Sequence, residues 1–149
     1  MLLHPLLFLH LAGVVIWVGG MFFAYFCLRP AAAQLLEPAQ RLPLWAATFS
    51  RFFKITAASV VAILATGFMM FMQVGMKFAP IGWHIMLSTG LLMAFIFIYI
   101  YAVLYPRLNN QCTAAAWPEG AATLNRIRKL VGLNLVLSVI RIAAATFAR

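Results

Sequence analysis

The sequence predicts an all-α membrane protein, a bundle of four transmembrane helices, and three observations carry that prediction. Four apolar runs fill most of the chain; hydrophobic residues make up 66% and charged residues only 9% of its 149 positions; and the basic residues are sorted onto two of the three connecting loops. The mean hydropathy of +1.01 is far above that of soluble domains. Each run has about 18 to 25 residues, enough at ~1.5 Å per residue to cross a hydrocarbon core of ~30 Å.

The first span is expected over residues 6–28. It follows an N-terminus without Lys or Arg and is longer than the apolar region of a signal peptide, so Ala31–Ala33 is not expected to be cleaved. Loop 29–54 carries Pro30, Pro38 and Pro43, and Leu44, Trp45, Phe49, Phe52 and Phe53 then recur at helical spacing, the pattern of a segment lying along the membrane interface. The second span covers 55–74. A third covers 81–105 and is expected to stop at Pro106; Phe95, Phe97, Tyr99 and Tyr101 on it are expected to face lipid or a second copy in a homodimer. In loop 106–129, Pro118 and Gly120 are expected to break the chain before the fourth span, 130–147. Residues 1–149 then form one transmembrane domain, with no segment left for a soluble one.

The net charge of +9 raises the question of nucleic acid, and the positions of the charges answer it. Arg29, Arg41, Arg51 and Lys54 lie in the first loop and Arg107, Arg126, Arg128 and Lys129 in the third, eight of the 11 basic residues. Two loops on one side of the bilayer share them. The positive-inside rule makes that side the cytoplasm and puts both termini outside, in the periplasm of a bacterium. The partner of this charge is the anionic lipid surface, and no nucleic acid is expected.

An internal repeat runs through the chain. Ala46-Ala47-Thr48-Phe49-Ser50-Arg51-Phe52-Phe53-Lys54-Ile55 aligns with Ala121-Ala122-Thr123-Leu124-Asn125-Arg126-Ile127-Arg128-Lys129-Leu130 at an offset of 75, Pro30 with Pro106 at 76, and His10 with His84 at 74. A duplicated two-helix unit returns to its starting side, so the copies are expected to be related by an axis along the membrane normal.

The candidate site follows from that symmetry. His10 and His84 lie early in the first and third spans, at depths differing by only ~3 Å. An ionisable side chain in hydrocarbon is costly unless it meets a partner, a cavity or a metal. Two imidazoles on facing helices suit the axial positions of haem b. Arg141, near the outer end of the fourth span, finds no carboxylate there, because Glu37 and Glu119 both lie in loops; a haem propionate is its expected partner. Asn134, Ser138, Arg141 and Ala145 form one stripe, Ser59, Thr66 and Gln73 another, and Gly13, Trp17 and Gly20 share the His10 face, with Gly13 leaving room and Trp17 making a wall. His4 is a weaker third histidine. Electron transfer between membrane quinol of the quinone pool, haem and a periplasmic redox partner is the use expected of such a site, and a haem-dependent oxidoreductase stays open.

Methionine supplies the alternative. Met69, Met70, Met72 and Met76 line the outer end of the second span, Met86 follows His84 by two residues, and Met21 and Met93 lie deeper. Thioether sulfur is a soft ligand, and His84 with Met86, Met72 and Met76 is the set expected of a Cu(I) binding protein or transporter. A third possibility is a structural membrane partner that binds nothing. Cys27 and Cys112 have no disulfide spacing. Walker loops, Rossmann glycines and His-Glu-x-x-His are absent, which excludes the soluble-enzyme chemistries they serve.

The stretch from His10 through Trp17, Gly19 and Gly20 to Phe23, with Leu28-Arg29-Pro30, Leu36-Glu37-Pro38, Arg51-Phe52-Phe53, His84-Ile85-Met86 and Arg126-Ile127-Arg128 to Asn134, resembles the CopD-like membrane family. The resemblance covers nearly the whole chain and implies a bacterial inner-membrane protein of copper uptake or resistance. The chain is also distantly similar to HemJ-type protoporphyrinogen oxidases, four-helix proteins whose haem b ligand corresponds to His10. The third-helix lysine of that group is missing here, with none between Lys77 and Lys129, and His84 stands as the replacement ligand.

Overall fold

The computed structural model describes residues 3–75 and 79–147. Helix α1 (Leu3–Phe23) passes through a π-helical turn (Ala24–Leu28) into α2 (Arg29–Leu35); α3 (Pro38–Val74) follows after two extended residues. Helix α4 (Ile81–Tyr99) passes through a second π-helical turn (Ile100–Leu104) into α5 (Tyr105–Thr113), and α6 (Trp117–Phe147) completes the bundle. Four helical rods, Leu3–Leu35, Pro38–Val74, Ile81–Thr113 and Trp117–Thr146, are long and apolar enough to cross a membrane. The all-α four-span architecture is as expected.

The expected loops are different. Most of 29–54 and 106–129 is helix, continuous with the spans. Proline explains why. Pro30 and Pro106 offer no N–H, and in both halves the chain takes a π turn just before them, with the Arg29 N–H bonding the Ala24 carbonyl and the Tyr105 N–H the Ile100 carbonyl. Pro38 and Pro118 sit in first turns, where an N–H needs no helical partner. Only Pro43 lies inside a helix. The segment expected to lie on the interface instead runs coaxially into α3, because Leu42, Trp45, Phe49 and Phe53 share one face and bury it. The rods end where the backbone allows it, at Gly75 with φ 84° and around Ala115 with φ 54°.

The bundle consists of two hairpins, α1 against α3 and α4 against α6. The matching π turns, 76 residues apart like the prolines they precede, give the repeat a structural counterpart. The core towards the loop end is aromatic. Phe53 stacks on Phe49 at 4.7 Å and meets Phe97, Tyr101 and Tyr105 edge-on at 5.6 to 5.8 Å, while Trp17 closes on Phe97 at 6.1 Å. Phe97 and Tyr101 therefore do not face lipid as expected; only Phe95 and Tyr99 are exposed. Residues two apart point to opposite sides of a helix, so the four never share a face.

Candidate functional site

Helices α1 and α3 approach closely at Gly13, where a Cβ would lie 2.8 Å from Ile63 Cγ1 and 3.2 Å from the Ser59 carbonyl oxygen. One turn nearer the N-terminus, His10 is buried against Gly67, with its Cε1 3.1 Å from where a Cβ on that glycine would stand. His10 Nδ1 lies 3.1 Å from Thr66 Oγ1. Thr66 has one hydroxyl hydrogen, and its Oγ1 lies 2.6 Å from the Ala62 carbonyl that receives it. The hydroxyl thus accepts from His10, Nδ1 carries the ring hydrogen, and Nε2 keeps its lone pair. Nε2 is then the ring nitrogen left to ligate a metal.

Across the bundle, α6 presents the polar stripe expected of it. Asn134 is 1% exposed and donates from Nδ2 to the Met93 carbonyl at 3.3 Å; Ser138 is buried and Arg141 half-buried. Gly90 of α4 gives the Arg141 guanidinium its seat, with Cζ 3.2 Å from a notional Cβ. That guanidinium is within electrostatic reach of His10. Gly67 and Gly90, which make room for His10 and Arg141, were not foreseen from the sequence; glycines directly after Thr66 and Thr89 were the available signal.

His10 and Arg141 are thus brought to one region, and His84 is not. His84 is exposed on α4 and meets Phe71 of α3 edge-on, ring centroids 5.2 Å apart. Phe71 lies four to five residues beyond the Thr66–Gly67 level of His10, so the histidines differ in depth by ~6 to 8 Å rather than ~3 Å. The spaces over Gly13, Gly67 and Gly90 are filled by Ile63, His10 and Arg141.

Trp17 is buried beneath the site, 3% exposed. Met86 and Met70 are half-buried; Met69 and Met72 are exposed; Met76 lies outside the described residues. Met70 follows Thr66 by one turn on the same face of α3. His4 and Cys27 are exposed, and Met21 and Met93 are core residues. Among the described residues no three His, Cys, Asp or Glu side chains are close enough to hold a metal together.

The family whose sequence model matches the chain is described as CopD, copper resistance protein D, and the match covers residues 46–148, more than half of the chain. No curated protein and no solved structure matches.

Proposed function

As this chain belongs to the copper resistance protein D family, we propose that it handles copper at the bacterial inner membrane, in resistance or uptake, with Cu(I) as its cargo. The family match carries the proposal. The ligand chemistry is consistent with it: His84, Met72 and Met86 offer soft and borderline donors at the outer end, Met70 follows one turn inward, and His10 presents Nε2 in the interior. Met76 belongs to the same set by sequence. Gly13 and Trp17 close the site from below. Arg141 opposes a cation at this depth, so it weakens the hold of His10 on Cu(I) and keeps the cargo exchangeable. The termini face the periplasm, from which a redox partner that keeps copper reduced has access.

Anaerobic loading of purified protein with Cu(I), followed by metal analysis, tests this. Bound copper without visible absorption is expected, lowered in His10→Gln and in the pair His84→Gln and Met86→Leu. Protein that takes up no copper, from cells whose copper content does not change with its expression, overturns it. Iron with a Soret band and a split α band would return the haem b reading.

A further inference from the structure

At the opposite end from His10, a cavity of about 240 Å³ opens between α2, α3 and α6 and the first π turn. Its charged lining is wholly cationic, with Asn125 and Tyr25 as neutral polar neighbours. Arg29, Arg41 and Arg128 come to it from three separate helices, and Tyr25, whose ring lies 5.8 Å beneath the Arg29 guanidinium, packs on Gly132. Neither Glu37 nor Glu119, the chain's only carboxylate side chains, lines it. Trp45 and Phe49 supply an apolar floor and are themselves buried. In the second copy of the repeat Tyr105, one before Pro106, takes the place that Arg29 holds before Pro30.

Three half-buried guanidinium groups without a carboxylate between them, above an aromatic floor, are suited to a phosphate ester with an apolar body. Guanidinium forks match phosphate oxygens in pairs, and the aromatic rings take hydrocarbon. A cuprous ion is repelled by the same charges, so the cavity is no part of a copper path and stands independently of the function proposed above. The volume holds a headgroup and not whole acyl chains, which leave along the exposed apolar surface of Phe22, Phe26 and Val136. The structure assigns this cavity to the headgroup of an anionic phospholipid, held as a specific ligand between the helices rather than as bulk bilayer.

Native mass spectrometry of the full chain in detergent, with phosphatidylglycerol or phosphatidylcholine added, tests the assignment. One phosphatidylglycerol is expected to stay bound at concentrations where phosphatidylcholine does not, a preference of about fivefold for each arginine engaged. Arg41→Gln with Arg128→Gln abolishes that preference, whereas Arg51→Gln with Arg126→Gln, outside the cavity, keeps it. Equal retention of both lipids by the wild-type protein overturns the assignment whatever the variants do. Equal loss in both double variants overturns it in favour of general surface charge. Inorganic phosphate alone giving the full thermal stabilisation seen with lipid overturns it in favour of a free anion.

Discussion

His10 Nδ1 donates to Thr66 Oγ1 across the α1–α3 interface at 3.1 Å, and the same hydroxyl is anchored to the Ala62 carbonyl one turn behind it. One threonine thereby chooses the tautomer of a histidine 56 residues away. Thr66→Val keeps the shape and removes the acceptor, leaving a buried ring N–H unsatisfied at a cost of about 1 to 3 kcal/mol. Cu(I) affinity is expected to fall several-fold in Thr66→Val and to be retained in Thr66→Ser, as read by competition with a chromophoric Cu(I) chelator.

Arg141 gives the two ligand chemistries opposite signs. A guanidinium opposes a metal cation at His10 and favours an anionic haem propionate. Arg141→Gln is therefore expected to strengthen Cu(I) binding, by about tenfold if the removed repulsion is ~1.4 kcal/mol at an effective dielectric near 20. A weaker Cu(I) affinity in this variant would contradict the placement of the cargo beside His10.

The glycines of α1 are not equivalent. A methyl at Gly13 meets Ile63 and the Ser59 backbone, whereas one at Gly19 meets nothing within 4 Å. Gly13→Ala is expected to destabilise by about 1 to 3 kcal/mol. Gly19→Ala is expected to be neutral or slightly stabilising, through helix propensity alone. Thermal unfolding in detergent separates them.

Asn134 ties α6 to α4 through the Met93 carbonyl, and its Oδ1 has no hydrogen-bond partner among the described residues. Removing the tie with Asn134→Leu gains apolar contact and loses one hydrogen bond, which in membranes is worth about 0.6 to 2 kcal/mol. A net change within about 1 kcal/mol is expected by the same unfolding measurement; a larger loss would mean that Oδ1 holds a bound water or ion.

Orientation is open to labelling. With Cys27 and Cys112 replaced by Ser, Glu119→Cys at the exposed start of α6 is expected to react in intact cells with a membrane-permeant maleimide only. Reaction with an impermeant maleimide would invert the topology.

Much of this was legible from composition and period. The apolar runs marked four spans, the spacing of Asn134, Ser138 and Arg141 marked the α6 stripe, and the alignment of residues 46–55 with 121–130 pointed to a repeat. Depth was not legible. Similar positions in duplicated spans suggest equal depth, but Trp17 packs beside Phe97, 80 residues on, and the histidine offset of 74 falls short of that register. Proline misled for a related reason: its effect depends on whether the preceding turn widens, and a π turn leaves no sequence signature beyond the proline itself. The His10–Thr66 pair needed the antiparallel register of α1 on α3, which only packing at Gly13 and Gly67 sets.

The two π turns also act as gears. Each inserts one residue beyond the α-helical count, so everything after it is rotated by about 100° around the rod. Arg29 owes its direction to that rotation: with one residue deleted from Ala24–Leu28 the rod would regain a plain α-helical phase and swing the guanidinium out of the arginine cavity, leaving the His10 half of the rod untouched. The two ends of this membrane rod are thus separately indexed, and evolution can reset one without disturbing the other.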